Sequence, residues 1–166
     1  SAEAYLDRLK AIHLFKGLNE EQLQAIALKL EPEAHPAGEA VFEQGEPGEA
    51  FYIIQRGQVA VTRKERGGER MIARLVAGDY FGERALLRRQ PRSASVAATT
   101  SVELLRLSKA AFEGILKQHP AIKLSLAVAH DSRELIRRHR FAWLGKDEVV
   151  YLATRRARFA LYRRLA

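Results

Sequence analysis

Short apolar segments separated by glycine turns run through the middle of this chain, and they constrain its fold more than any other feature. Between about residues 37 and 107 the segments have strand composition, and the glycines between them stand at positions 45, 48, 57, 67, 68, 78 and 82. This spacing is typical of consecutive hairpins in a sandwich, a barrel or a roll. We therefore predict a β-domain over residues 37–107.

Helical periodicity flanks this β-region on both sides. Two amphipathic helices are predicted before it, and Asn19 is the expected N-cap of the second. After it, Ser108 is the expected N-cap of a short helix, and a long helical pattern runs from Pro120 towards Phe141. The predicted fold class is mainly β with flanking helices. The predicted parts are N-terminal helices over 1–36, a β-roll over 37–107, hinge and lid helices over 108–140, and a C-terminal tail over 141–166.

Composition narrows the class of protein. Hydrophobic residues make up 47% and charged residues 29% of the 166 positions, which is typical of one folded globular domain. No run approaches the roughly 18 apolar residues of a membrane helix, and the first residues do not resemble a signal peptide. The absence of cysteine excludes disulfides and thiolate metal sites and fits a reducing compartment. A cytoplasmic protein is expected.

The stretch Phe81–Val96, FGERALLRRQPRSASV, has the parts of a phosphate cradle. Gly82 allows the backbone to approach a ligand, and the next residues can form a short helix whose free N–H groups favour an anion. Arg92, which follows Pro91, can direct two N–H donors at phosphate oxygens. Glu83 would repel a phosphate, so it is expected to meet another part of the ligand, and a ribose hydroxyl is a suitable donor. The alternative is that Glu83 and Arg92 form an ordinary surface ion pair.

The same stretch resembles the phosphate-binding cassette of cyclic-nucleotide-binding domains, which occur in kinase regulatory subunits, catabolite activators and cyclic-nucleotide-gated channels. The positions that carry the resemblance are Phe81, Gly82, Glu83, Ala85, Leu86, Pro91, Arg92, Ala94 and Val96. The likeness extends over about residues 5 to 140. It implies an eight-stranded antiparallel, jelly-roll-like β-roll with N-terminal helices and a long C-terminal lid helix.

The resemblance also implies a role for each site residue. Glu83 would accept a hydrogen bond from the ribose 2′-hydroxyl, and Arg92 would pair with the cyclic phosphate. Backbone N–H groups of Gly82, Ala85 and Ser93 would assist, and Val61 and Leu75 would form an apolar wall around the base. Replacement of Arg92 by alanine is expected to abolish micromolar binding and to leave the unfolding of the ligand-free protein unchanged.

Two cassette positions bear on the choice of base. Arg84 stands where kinase regulatory subunits usually have an apolar residue, and Ser93 stands where cAMP-selective kinase sites commonly have alanine. A hydroxyl at position 93 can reach the phosphate or the guanine amino group. These two residues leave the choice of base open. The resemblance favours cAMP, because domains of this family with serine at this position commonly bind it, and cGMP is the alternative.

Ligand binding is expected to act through the lid helix. Arg133 falls where channel-type domains have a base-capping arginine, and Arg137 is a second candidate for this role. Ligand contacts to both cassette and helix would favour the state with the helix swung in. No catalytic residues, metal site or cofactor are expected, because the five histidines have no metal-ligand spacing and each is predicted to be solvated. The expected activity is ligand sensing, not catalysis.

The C-terminal part of the chain, from residue 133 onward, carries most of the net charge of +8. Residues 133–166 hold ten Lys or Arg and three acidic residues, a net charge of +7, whereas the preceding residues are almost neutral. The tail is expected to begin a further region, either an effector domain or a segment near the cytoplasmic side of a membrane. DNA binding is less favoured, because the tail is too short for a helix-turn-helix and its pattern is that of a strand. A homodimer through the long helix and a degenerate, non-binding β-roll are further alternatives.

Overall fold

The computed structural model describes residues 1–139, with the backbone alone for 132–139. In this part of the chain, α-helices span Ala2–Lys10 (α1), Glu20–Ala27 (α2), Arg84–Leu87 (α3), Lys109–Gln118 (α4) and Ala121–His139 (α5), and a 3-10 helix spans His13–Phe15. Strands span Glu31–His35 (β1), Ala40–Phe42 (β2), Ala50–Arg56 (β3), Gln58–Glu65 (β4), Gly68–Val76 (β5), Tyr80–Phe81 (β6), Ser95–Ala98 (β7) and Val102–Ser108 (β8). No helix among these residues is both long and apolar enough to cross a lipid bilayer.

The eight strands form two antiparallel sheets of four. One sheet has the order β1-β8-β3-β6, and the other has the order β2-β7-β4-β5. Helices α1, α2, α4 and α5 flank the strands in the chain, so the prediction of an eight-stranded antiparallel roll with flanking helices is confirmed.

Strand β3 is buried on both faces, which explains its unbroken apolar sequence. Phe51 and Ile53 pack in a cluster with the helices, whereas Tyr52 and Ile54 pack in a second cluster between the sheets. Alternate residues of a strand point to opposite faces, so one strand serves two cores. Each such side chain contributes roughly 1.5 to 3 kcal/mol when fully buried.

The helix caps predicted from the sequence are present. Asn19 Oδ1 accepts a hydrogen bond from the Gln22 N–H (2.9 Å), and Gln22 Oε1 accepts one from the Asn19 N–H (3.0 Å). At the start of α4, Ser108 Oγ accepts from the Ala111 N–H (3.0 Å). These bonds satisfy backbone donors that lack partners in the first turn of each helix.

The β-region begins earlier than the sequence predicts. Strand β1 starts at Glu31, inside the segment assigned to the N-terminal helices, and it contains Pro32. Strand β1 lies at the edge of its sheet and pairs with β8 alone. The missing N–H of a proline there takes no hydrogen bond from a strand on the other side. The segment 1–36, which is predicted to hold the N-terminal helices, therefore ends in an edge strand that contains Pro32.

His35, at the end of β1, lies between two carboxylates. Its Nε2 is 2.6 Å from Glu33 Oε1, and its Nδ1 is 2.7 Å from Glu39 Oε1. The side chain is only 11% exposed, so the prediction that this histidine is solvated is wrong. Burial alone lowers the pKa of His35, but the hydrogen bonds and charges of Glu33 and Glu39 outweigh burial and raise the pKa above its ordinary value.

The fold is expected to lose stability as the pH rises from about 6 to about 8, because His35 then loses its charge. Its contribution is complete below the unfolded-state pKa of about 6.5 and disappears as the pH passes the higher folded-state pKa. We expect a loss of about 0.5 to 1 kcal/mol, since both carboxylates are partly in water. Thermal unfolding of the wild type and of His35→Gln, at both pH values, measures this difference. The same pH dependence in both proteins would contradict it.

Candidate functional site

A cavity of about 200 Å³ lies between the stretch 81–96 and the β4–β5 hairpin. Eight of the ten residues predicted for the site line it: Val61, Leu75, Gly82, Glu83, Arg84, Ala85, Arg92 and Ser93. The side chains of the other two, Arg133 and Arg137, lie outside the described residues. The predicted cassette and the predicted apolar wall therefore line the same cavity in the folded protein.

Arg92 is the most constrained side chain in this cavity. Only 9% of the residue is exposed. Its Nη2 donates to the Ala50 carbonyl (2.7 Å), its Nη1 donates a long bond to the Gly82 carbonyl (3.4 Å), and the guanidinium lies 3.9 Å from the centre of the Phe42 ring. Burial lowers the pKa of Arg92, and attraction by Tyr52 and nearby carboxylates opposes this. These contacts fix the guanidinium plane before any ligand arrives.

The contacts of Arg92 leave donors for a ligand. A guanidinium has five N–H donors, and two of them bond to backbone carbonyls. Its Nε is buried and has no hydrogen-bond partner among the described residues. The remaining N–H groups at Nη1 and Nη2 are the donors that a ligand could use.

The backbone around Gly82 brings the cassette close to Arg92. Gly82 has a φ of +78°, a conformation that favours glycine. Directly after it, the Ala85 N–H donates to the Gly82 carbonyl (3.1 Å) and starts the single turn of α3. A ligand oxygen that binds the Ala85 N–H would have to share this donor.

Glu83 lies next to the long helix α5. Its Oε1 is 3.5 Å from Nδ1 of His130, and the two side chains are 20% and 6% exposed. His130 is therefore not solvated, and the prediction for this histidine is wrong. The sequence gives no signal for this pair, because the two residues belong to different elements.

Two apolar residues of the wall, Ile72 and Ala73, were missed from the sequence. The β4–β5 ladder shifts register between Val61 and Thr62, which pair with Ala73 and Met71 and leave Ile72 as an extra residue. Such bulges redirect side chains near functional sites. Ile72 lines the cavity although it is 36% exposed.

The charges in the cavity favour an anionic ligand that also has a hydrogen-bond donor. Arg63, Arg84 and Arg92 line it together with one carboxylate, that of Glu83. Within the described residues, no group of three or more His, Asp or Glu side chains is arranged to hold a metal ion. The site is suited to binding such a ligand.

Residues 32–119 match the family model of the cyclic nucleotide-binding domain. This match contains the whole cassette and both walls of the cavity. The chain belongs to the cyclic nucleotide-binding domain family. The members of this family to which the chain is similar are regulatory proteins. This domain is a regulatory module and not an enzyme.

Relatives of this cyclic nucleotide-binding domain occur in kinases and in receptors. A cAMP-dependent protein kinase regulatory subunit of Eremothecium gossypii is 39% identical over 112 residues, which are 68% of this chain and 24% of that protein. The Cyclic AMP receptor protein of Thermus thermophilus is 33% identical over 159 residues, which are 95% of this chain and 71% of that protein. The chain thus spans about a quarter of the kinase regulatory subunit that it matches.

The fold is also that of a solved regulatory domain. The regulatory domain of Toxoplasma gondii PKA, crystallised with cAMP, superposes with a TM-score of 0.67 at 28% identity. The superposition covers 76% of this chain and 48% of that one. The family resemblance predicted from the cassette is confirmed.

Proposed function

We propose that this domain binds a cyclic nucleotide, cAMP in preference to cGMP, and transmits binding through α5 to an effector outside this chain. The observation that carries the proposal is that Glu83 and Arg92 line one open cavity, while Glu83 also approaches His130 of α5. A ligand that engages the cassette thereby acts on a residue that contacts the lid helix.

Arg92 would hold the cyclic phosphate. Its N–H donors that do not bond to the Ala50 and Gly82 carbonyls match the acceptor oxygens of a phosphodiester. Backbone N–H groups of Gly82, Ala85 and Ser93 would complete the cradle. The site fits this ligand because one fixed cation faces one negative charge.

Glu83 would accept a hydrogen bond from the ribose 2′-hydroxyl. A carboxylate so near the phosphate site would repel an anion, whereas a hydroxyl gives it a donor. Arg84 also lines the cavity and adds positive charge beside this carboxylate. Glu83 thus distinguishes a nucleotide with a free 2′-hydroxyl from one without it.

The base would lie against the wall of Val61, Leu75 and Ile72. The cavity of about 200 Å³ is smaller than the roughly 300 to 1,000 Å³ of most ligand pockets, so part of the ligand would extend from it. A cap from α5 suits such a ligand, and Arg133 and Arg137 are the proposed capping residues. The names of the relatives favour cAMP, and the Ser93 hydroxyl keeps cGMP as the alternative.

The effector of this domain stays a prediction. The tail of residues 141–166 falls outside the described residues, and its basic character is compatible with an effector domain, with a membrane surface on the cytoplasmic side, or with DNA. A fragment of a cAMP-responsive DNA-binding regulator is the second candidate, favoured by the match to the Thermus thermophilus receptor over 95% of this chain. A homodimer through α5 also stays a prediction.

Ligand-induced stabilisation tests the binding function. We expect cAMP to raise the free energy of unfolding by about 2.7 kcal/mol at about 100 times its dissociation constant, cGMP to do so only at higher concentration, and 5′-AMP to have little effect. Thermal unfolding with each nucleotide, followed by calorimetry, measures this. If neither cyclic nucleotide stabilises the protein, the β-roll has lost the ability to bind them and the proposal fails.

A further inference from the structure

We infer that His130 is a positioning residue, which holds the Glu83 carboxylate in place from α5 and makes nucleotide affinity depend on pH. The inference rests on the proposed function, because it concerns the residue that would receive the ribose. It assigns a role to a histidine of the lid helix that does not itself line the cavity but lies within ion-pair distance of Glu83.

The packing of α5 fixes the position of His130. Ile122, Leu126 and Ala129 of this helix are buried in the core that the helices share with the first sheet. His130 follows them and is itself 5% exposed, so its ring is held inside the protein. Glu83 stands immediately before α3, and α3 packs against α5. The distance of 3.5 Å between Nδ1 and Oε1 therefore follows from the packing of two fixed elements.

In the described part of the chain, the carboxylate of Glu83 lies within ion-pair distance of the His130 ring. Helix α5 packs against the 3-10 helix, α3 and α4. These three elements carry the titratable or charged side chains of His13, Arg84, Lys109, Glu113 and Lys117. Among the described residues, the ion-pair contact of His130 is with Glu83, which immediately precedes α3. The Glu83 carboxylate also attracts the guanidinium of Arg92 electrostatically. The charge of His130 thus acts mainly on the carboxylate.

The sign of the pH effect follows from these charges. A histidine side chain generally changes charge between about pH 5 and 8. The protonated ring attracts the Glu83 carboxylate and holds it towards the ribose site, whereas the neutral ring does not. An ionised carboxylate has about four acceptor sites, so it can face the imidazolium and still accept from the ribose. Affinity is therefore expected to rise as the pH falls, with uptake of a proton on binding.

The test compares cAMP with 2′-deoxy-cAMP, which lacks the hydroxyl that Glu83 would bind. Calorimetry at pH 6, 7 and 8 is expected to show wild-type protein binding cAMP about three- to tenfold more tightly at pH 6 than at pH 8, as for a partly buried ion pair of ordinary strength. In His130→Gln, cAMP binding is expected to weaken about fivefold at pH 6 and to lose its pH dependence. Binding of 2′-deoxy-cAMP is expected to change less than about twofold.

Two further variants separate positioning from a purely structural role. His119→Gln, in the turn between α4 and α5, is the matched control and is expected to keep the wild-type pH profile. Glu83→Gln removes the carboxylate charge, so adding His130→Gln to it is expected to cause no additional loss. If His130→Gln folds poorly, Glu83→Gln alone keeps the inference testable, because it leaves His130 in place and is expected to lose the pH dependence of cAMP binding.

The outcomes distinguish this inference from the proposed function. If His130→Gln weakens both nucleotides equally, or keeps the wild-type pH profile, His130 has no role through Glu83 and the inference is overturned. If wild-type protein binds no cyclic nucleotide at any of these pH values, the proposed function fails and the inference fails with it.

Discussion

Replacing Arg92 with alanine is expected to weaken cAMP binding by about tenfold to more than a hundredfold, because a charge-assisted hydrogen bond contributes roughly 1.5 to 3 kcal/mol. Arg92→Lys keeps the charge but loses the planar fork and the stacking on Phe42, so it is expected to recover only part of this affinity. Calorimetry on both variants measures the loss. Unchanged affinity in Arg92→Ala would remove Arg92 from the binding site.

The same substitution is expected to destabilise the ligand-free protein, which corrects the expectation drawn from the sequence. Arg92 bonds to the carbonyls of Ala50 and Gly82 and is buried, so alanine would leave a space and remove a partner from two carbonyls. We expect a loss of about 1 to 3 kcal/mol in the free energy of unfolding. Denaturant unfolding without nucleotide measures it, and a loss below the error of that method would contradict the role of Arg92 in the apo fold.

Gly82→Ala is expected to reduce cAMP affinity by about tenfold or more, although it removes no group that binds the ligand. A Cβ at this position would lie 2.8 Å from Arg92 Nη1 and 3.0 Å from the Ala50 carbonyl oxygen. The guanidinium would have to move away from Phe42 and from its backbone acceptors. The positive φ of +78° adds strain of roughly 1 to 2 kcal/mol.

Gly67→Ala provides the matched control for this prediction. Gly67 also has a positive φ, +97°, but a Cβ there would meet nothing within 4 Å. It lies in the turn between β4 and β5, away from the cavity lining. Backbone strain is therefore common to both variants, whereas displacement of Arg92 is specific to Gly82→Ala. Calorimetry that finds the same affinity in both variants would show that crowding at Gly82 does not control the site.

Much of the fold was predictable because its signals are local. The glycine turns and the apolar segments between them indicated a β-domain, and Asn19 and Ser108 marked the starts of α2 and α4 correctly. The predicted start of the β-region at residue 37 is wrong, because β1 contains Pro32, and a proline can end a helix or lie in an edge strand. Whether a strand lies at an edge depends on the order of the sheet, which the local sequence does not encode.

The candidate site, like the fold, was predictable from the sequence only in part. The cassette is contiguous, so its glycine, carboxylate and arginine were readable in one stretch, and the sequence by itself determined the family. Only the tertiary structure decided how these groups are held: the Ala50 carbonyl that binds Arg92 is 42 positions away, Phe42 lies beneath the same guanidinium, and His130 reaches Glu83 from α5. Patterns of neighbouring residues set where elements begin and end, since capping, turns and periodicity act over a few positions. Contacts between distant side chains depend on strand register and helix packing, which exist only once the whole core has formed.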